Sequence, residues 1–566
     1  MPSLIDRLGR PQRGDWIAGV TNALVYLPQG IGYALLSGVN PIFGLYTGIL
    51  PPIVGGLLSG SVLLHVVATN ELAVPTGRIV SGLTGVVAME HVFALTLLVG
   101  SFALAAGLLR LGGLVRFISN SVMRGFVSGI MVLLILSQLP NLLGVRGLPP
   151  GSDARRALEV LLHPGSIDGP TAAVGTATIV ALVLLRRTPL RDLAYVVVMV
   201  GASAAVAGLG LPSVVRTGSQ HSIRAGLPNF IWPAWSVLPS VLVPALSLTI
   251  IGLSFGAGVA RDFPNPGGAP ARPSRDFVGQ GMANLVSAFF QCLPSAGSMS
   301  RTAYLVETGA RTRWASVISG LSCLGLVATI ADLAEQVPLT VVGGLLVVLG
   351  ASAIDLDRLR LVWRVSWAER SVMMVTLVLS IAVSPQMAIL LGVLLSLAEF
   401  VWESSKVEVT TLVADEAGRF REEFCPVRFE PGQPTALRVH GTAYFAAIEA
   451  LGEVLEPAVR VAPTALVLSI ADYAALGSTG VMFFQRFAQR MRSAGNAFFL
   501  VDVAPRVLEE LRATGVLPAV GVDRVRLRSE DGADDGVAAA LAAARAWLAG
   551  STARPAWGSA TPSAAL

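Results

Sequence analysis

Stretches of roughly 18 to 22 apolar residues, the length an α-helix needs to cross about 30 Å of hydrocarbon, recur from Trp16 to about Trp402 and then stop. In lipid no water is at hand to satisfy backbone N–H and C=O groups, so a chain of this kind folds as a set of spanning helices. Composition agrees: 53% of the 566 residues are hydrophobic and 14% are charged, against about 25% charged in soluble proteins. The expected class is therefore an α-helical polytopic membrane protein. The opening "MPSLIDRLGRPQRGDW" shows no apolar segment with a small-residue cleavage site, so no removable signal peptide is expected. Cys292, Cys323 and Cys425 have neither disulfide nor metal spacing and read as packing thiols. The formal charge of +5 is carried almost wholly by arginine, with Lys406 the only lysine. In a membrane chain such charge reports topology before partners, and no nucleic-acid partner is expected.

About fourteen segments fit between residues 16 and 404, and two of them, roughly 68–82 and 298–309, are too short to cross. The short ones fall third and tenth, at matching places in halves that span about 16–212 and 237–404. Interrupted segments at matching positions mark an inverted repeat with a binding site between the broken helices, and seven helices per half make the repeats antiparallel. With residues 1–15 inside, Arg110, Arg116 and Arg124, then Arg186, Arg187 and Arg191, then Arg261, Arg272 and Arg275, then Arg358, Arg360, Arg364 and Arg370 fall in cytoplasmic connections. Arg146, Arg155, Arg156, Arg216 and Arg224 fall outside. An even number of crossings returns residues 406–566 to the cytoplasm.

A half-helix that begins near the bilayer midplane exposes unpaired N–H groups and carries roughly half a positive charge. Two such ends facing each other would bind an anion without a metal. In "CLPSAGSMSRTAYLVETGARTR", Ser298 stands where an N-cap is expected, and the N–H groups of residues 299 to 301 would face the cavity. Ser300 and Arg301 lie in the first turn, one offering a hydroxyl and the other a forked cation, with Met299 between the serines. The plainer alternative pairs Arg301 with a carboxylate and leaves the serines as caps. In "LHVVATNELAVPTG", Thr69 or Asn70 is placed to cap and Glu71 lies in the first turn. Glu71 is read either as carrier of a coupled proton or cation, or as the ion-pair partner of Arg301. His65 reads as a satisfied packing histidine. In "YLPQGIGYALLSGVNPIFGLY", Pro28 and the following glycines interrupt or kink a helix, and Gln29 and Tyr33 share a face. Close helix packing explains the glycines equally well. No nucleophile with a base, metal spacing or phosphate loop occurs in the membrane region, so neither an enzyme nor a cofactor is expected.

Past Glu403, β-branched runs such as "TALVLSIAD" alternate with helical patterns such as "GVMFFQRFAQRMRSAG", which predicts a small α/β domain over about 405–550. Residues 551–566, rich in Ser, Ala and Pro, read as a disordered tail.

These segments resemble the sulfate permease, or SulP, anion transporters, called solute carrier family 26 in animals. "LPQGIGYALLSGVNPIFGLYTGILPPIVGGLLSGS" is similar to the family's first-helix signature, "SMSRTAYLVETGARTRWAS" to its tenth segment, and "VPLTVVGGLLVVLGASAIDLDRLRLVWR" to its twelfth. The stretch "TALVLSIADYAALGSTGVMFFQRFAQRMRSAG" and its continuation resemble a STAS domain. The resemblance implies two inverted seven-segment repeats, a mobile core and a gate, and a homodimer. It places an anion site at Gln29 and Tyr33, at Ala68, Thr69, Asn70 and Glu71, and at Ser298, Met299, Ser300 and Arg301. Three departures stand out. The family's Gly-Pro at the third segment is Ala68-Thr69 here; Phe255 stands where cation-coupled members carry Glu or Asp; and the STAS Asp-Ser-Thr-Gly motif reads Gly477, Ser478, Thr479, Gly480.

The resulting expectation is secondary transport of a small inorganic or organic anion, such as sulfate, bicarbonate or a dicarboxylate. It would work by elevator-like alternating access in a cell membrane, a bacterial inner membrane, with the STAS domain cytoplasmic. A coupled proton or sodium ion is weighed against counter-anion exchange, a passive channel and a nucleobase carrier of the same fold. A STAS-based binding protein on a membrane anchor is the remaining alternative, and a complete two-half transporter argues against it.

Overall fold

The computed structural model describes residues 10–550 except 114–118, 149–152, 220–225, 269, 271, 331–334, 415–418, 425, 426, 444 and 529–534. The expected tail from 551, Arg116, Arg224 and Cys425 lie outside the described residues. The chain divides into two compact units, Met1–Leu397 and Ala398–Leu566.

The first unit opens with α1 (Arg13–Leu36), which runs unbroken through Pro28. The next span, Pro41–Leu58, is built of two helices, α2 (Pro41–Tyr46) and α3 (Leu50–Leu58), with Pro51 and Pro52 at a helix start, where the missing N–H costs nothing. Then come β1 (Val66–Val67) and the short α4 (Asn70–Ile79). The helices α5 (Gly85–Leu108), α6 (Asn120–Leu143), α7 (Asp153–Leu162), α8 (Gly169–Leu185) and α9 (Ala194–Gly208) follow. The same order returns with α10 (Leu238–Asp262), α11 (Pro273–Ala288), β2 (Ala296–Gly297) and the short α12 (Met299–Glu307). It continues with α13 (Trp314–Ile330), α14 (Leu339–Ala353), α15 (Leu356–Val365), α16 (Trp367–Ala382) and α17 (Pro385–Ser404), the last leading into the second unit.

Among the described residues, six spans are long and apolar enough to cross a membrane. At 1.5 Å per residue α4 and α12 reach only about 15 Å, half the hydrocarbon thickness. Each follows a two-residue strand, and the strands pair antiparallel, Val66 opposite Gly297 and Val67 opposite Ala296. That pairing satisfies extended backbone that lipid could not. It is not legible in either strand alone.

Helices within lipid gain little from hydrophobicity, so close van der Waals contact decides their packing. Between α5 and α11 a Cβ added at Gly100 would lie 2.5 Å from the Leu285 nitrogen, and one at Gly281 2.4 Å from that of Leu104. Glycine is what lets these backbones touch.

Polar side chains tie the two halves together around the short helices. Asp15, fully buried in the first turn of α1, accepts from Arg311 N (2.8 Å), Thr312 N (2.9 Å) and Thr312 Oγ1 (2.7 Å), just beyond α12. Asp276 of α11 accepts from Ser61 N (2.6 Å) and Ser61 Oγ (2.8 Å), just before β1. Arg313 donates to the carbonyls of Gly56, Ser59 and Gly60, which closes the C-terminus of α3 with a cation. Asp15→Ala leaves three backbone N–H groups, of Gln12, Arg311 and Thr312, and a hydroxyl without an acceptor, and each bond to a carboxylate contributes about 1.5–3 kcal/mol. We expect a loss of a few kcal/mol overall, read as a fall in the thermal unfolding midpoint in detergent, with Asp15→Asn intermediate. An unchanged midpoint for Asp15→Ala would show that the interhelix tie is idle.

The second unit is a six-stranded sheet in the order β4-β3-β5-β6-β7-β8, formed by β3 (Glu408–Ala414), β4 (Phe420–Glu423), β5 (Pro434–His440), β6 (Ala465–Ser469), β7 (Ala497–Val503) and β8 (Val525–Leu527). β5 to β8 run parallel and β3 pairs antiparallel with β4 and β5. Alternation along the strands sorts residues to two faces. Leu466, Leu468, Phe498 and Leu500 pack under α18 (Phe445–Arg460), α19 (Gly477–Ser493), α20 (Pro505–Ala513) and α21 (Leu517–Val520). Ala465, Val467, Ala497 and Phe499 pack under α22 (Asp535–Gly550). The expected α/β domain is therefore present, with helices on both faces.

Candidate functional site

The strand pair puts the beginnings of α4 and α12 at the centre of the first unit, and amides from α11 hold it there. Gln280 Oε1 accepts from Gly297 N at 3.0 Å, and Asn284 exchanges bonds of 2.7 Å with both the N–H and the carbonyl of Ser295. Two amides four residues apart in an apolar helix were the sequence signal for this, and it was missed. On the other side the His65 carbonyl accepts from Ser298 N at 2.9 Å. The imidazole is buried, with Asn22 Nδ2 3.0 Å from Nε2 and Ser316 Oγ 3.1 Å from Nδ1, so His65 is the packing residue expected.

At α12, Ser298 is the N-cap, its Oγ accepting from Arg301 N at 3.4 Å. Of the three N–H groups expected to be free, the third is thus consumed by the cap; those of Met299 and Ser300 have no partner among the described residues. Ser300 is exposed and its Oγ lies 3.4 Å from that of Ser298. Arg301 is 6% exposed, yet its Nε and Nη1 have no hydrogen-bond partner. Its guanidinium sits 5.8 Å from the centre of the Tyr304 ring, a cation–π contact. No ion pair joins Arg301 to Glu71 among the described residues, so of the two alternative readings of Glu71 the ion pair is the one the structure does not form.

At α4, Thr69 is the N-cap by backbone geometry but makes no capping bond with its side chain, and Asn70 begins the helix. Thr69 and the Glu71 backbone both act on the Glu71 carboxyl, which lies in the first turn of α4. The two helix starts therefore differ in chemistry: α4 carries Glu71 in its first turn, whereas α12 carries Arg301. Ala68 is packed in the core. Asn70 Nδ2 lies 3.9 Å from Met131 Sδ of α6, leaving its Oδ1 without a partner.

From α1, Tyr33 Oη donates to Gln29 Oε1 at 3.4 Å, leaving Gln29 Nε2 buried and unpartnered. The charges of both Arg301 and Glu71 act on Tyr33, so the three elements do converge. Tyr195, at the start of α9, acts on both Tyr33 and Arg301. It was not legible in the sequence, because a lone tyrosine at the edge of an apolar run has no periodic signal. Phe255 of α10 and Met299 line a cavity of about 600 Å3, so the position where cation-coupled members carry Glu or Asp is apolar here. In the second unit, the carboxylate of Glu510 accepts from Leu476 N and Gly477 N at the start of α19, the place of the altered Asp-Ser-Thr-Gly motif.

A multi-pass helical domain with a polar centre between two short helices, joined to an α/β domain, has the make-up of a membrane transporter with an appended module. The profile of the sulfate permease family matches residues 13–376, and that of the STAS domain residues 427–531. This chain belongs to the sulfate permease family, and its relatives are transporters, not enzymes. It is 25% identical to the putative sulfate transporter YvdB of Bacillus subtilis over 90% of this chain and 94% of that one. It is 26% identical to human solute carrier family 26 member 6 over 68% of this chain and 54% of that one, so it spans about half the length of the human relative. In fold it resembles the murine solute carrier 26 family member A9 anion transporter in the inward-facing state, with a TM-score of 0.79, 18% identity and coverage of 94% and 91%. The transmembrane domain of the cyanobacterial bicarbonate transporter BicA matches at a TM-score of 0.57 and 23% identity, over 68% of this chain and 97% of that one.

Proposed function

We propose that the chain is a secondary active transporter of a small oxyanion, sulfate or bicarbonate being the foremost candidates, in symport with a proton. The observation that carries this reading is the buried Arg301 guanidinium with two unpartnered nitrogens. A buried cation without a counter-ion costs several kcal/mol, and a bound anion removes that cost. The N–H groups of Met299 and Ser300, the Ser300 hydroxyl and the Gln29 amide would donate to it, with the dipole of α12 adding to the field.

Glu71 supplies the coupling. A dianion beside an ionised Glu71 faces like-charge repulsion; a proton on Glu71 relieves it and frees the end of α4. With Phe255 on the α10 wall, Glu71 is the acid placed to do this. The fourteen segments would form two inverted repeats, the core moving elevator-fashion against the gate in a homodimer, with the STAS domain in the cytoplasm of a bacterial inner membrane. Proteoliposome uptake of labelled sulfate, bicarbonate and fumarate under imposed proton, sodium and chloride gradients tests the proposal. A proton gradient should drive uptake, and Glu71→Gln should flatten its pH dependence while leaving the protein folded. Uptake that needs only a chloride gradient, or an unaltered pH profile in Glu71→Gln, would sink proton coupling.

A further inference from the structure

We propose that the cavity leading to Met299 contains a second, outer anion station built on Arg124 and Arg261, separate from the site between α4 and α12. The cavity, of about 600 Å3, is bounded by the start of α6, the end of α10, and α15. Phe255 and Met299 line it, and its charged lining comprises Arg124, Arg261, Arg358, Asp262 and Glu369.

The five charges are not equivalent. Arg358 is balanced by Asp355, 3.0 Å from its Nε, and approaches Asp262 at 3.8 Å. Glu369 lies 3.4 Å from the Ser121 hydroxyl, which donates to it. Arg124 and Arg261 make no hydrogen bond or ion pair with any described residue. Two cations without a hydrogen bond or close ion pair among the described residues thus line one cavity, Asp262 and Asp355 acting on Arg124 only from farther away, and the positive end of the 24-residue α6, capped by Ser119, lines the same wall. The lining sets three arginines against two carboxylates, and a cleft of net positive charge with low-dielectric walls concentrates anions. The ligand class is a small mono- or divalent anion held in transit, still partly hydrated, before it passes Phe255 and Met299. The inference rests on the reading of the chain as an anion carrier, and it is independent of what couples at Glu71.

The test uses a thiol reporter inside the cavity of the full chain. Gly258 lines it, and a Cβ there meets nothing within 4 Å, so Gly258→Cys fits. Cys292 and Cys323 are buried, and Cys425 is replaced by serine. At low ionic strength a sulfonate-bearing methanethiosulfonate should label this cysteine about tenfold faster than its trimethylammonium analogue, and about 1 M salt should erase the preference. Arg124→Gln with Arg261→Gln should bring the rates together, Arg124→Lys with Arg261→Lys should keep them apart, and added sulfate should slow labelling only while both charges remain. Equal rates in the parent, or a preference that survives both glutamine substitutions, would overturn the outer station. If the glutamine pair does not fold, the lysine pair and the salt dependence of the parent still decide. Arg301→Gln separates the two readings: it should abolish uptake and leave the reagent preference intact.

Discussion

Replacing Arg301 with methionine is expected to lower anion uptake by at least about 100-fold and, at the same time, to make the empty protein no less stable. The first effect follows from the loss of charge-assisted hydrogen bonds, at about 1.5–3 kcal/mol each, and of the only side-chain cation at the start of α12. The second follows from the environment: a guanidinium that is 6% exposed with Nε and Nη1 unpartnered is a desolvated charge, and an apolar chain of similar length removes that cost. A ligand present at about 100 times its dissociation constant stabilises a protein by about 2.7 kcal/mol. Thermal unfolding in detergent with and without sulfate should therefore show a sulfate-dependent rise in the parent and none in Arg301→Met, whose midpoint without sulfate should be equal or higher. A variant that unfolds early yet keeps its response to sulfate would mean that Arg301 holds the fold and not the anion.

Gly44→Ala is expected to cost the folded protein outright, although it adds one methyl group to an apolar helix. The added Cβ would lie 1.8 Å from the carbonyl oxygen of Gly30 and 3.0 Å from Cβ of Ala34. Neither backbone can yield, because Tyr26 Oη already donates to the Gly44 carbonyl at 2.9 Å across the same junction. The contact falls next to Gln29 and one turn from Tyr33, so any separation of α1 from α2 also displaces the α1 wall of the anion site. Size-exclusion profiles in mild detergent should show loss of the monodisperse peak, and whatever folded fraction survives should transport poorly. A normal yield with full uptake would show that this junction is looser than the packing implies. Overpacking of a soluble core costs about 1–3 kcal/mol; a clash between two backbones gives less room to relax.

Where lipid or a period of 2 or 3.6 leaves few alternatives, the chain could be read directly. Helical spans, the short third and tenth segments, the Ser298 cap, the shared face of Gln29 and Tyr33, and an α/β domain after Glu403 are all matters of length, periodicity and local capping. Pairings between distant segments could not be read that way. The absent ion pair between Glu71 and Arg301 depends on how two helix starts are offset across the strand pair, and a one-residue change of register there would turn different side chains to the cavity. Asp15, Gln280 and Asn284 each bond to backbone, and backbone groups have no letter in a sequence. Tyr195 comes within electrostatic range of Tyr33 and Arg301 because α9 packs beside α1.

The sequence by itself determined that this chain lives in a membrane, that two of its helices stop halfway, and that one of them begins with Ser298, Met299, Ser300 and Arg301. These follow from hydration and helix geometry, which act locally. Only the tertiary structure decided that Nε and Nη1 of Arg301 are buried without a hydrogen-bond partner among the described residues, and that Arg301 and Glu71 form no ion pair there. Electrostatic balance depends on distances across the fold, and those are set by which backbones can touch.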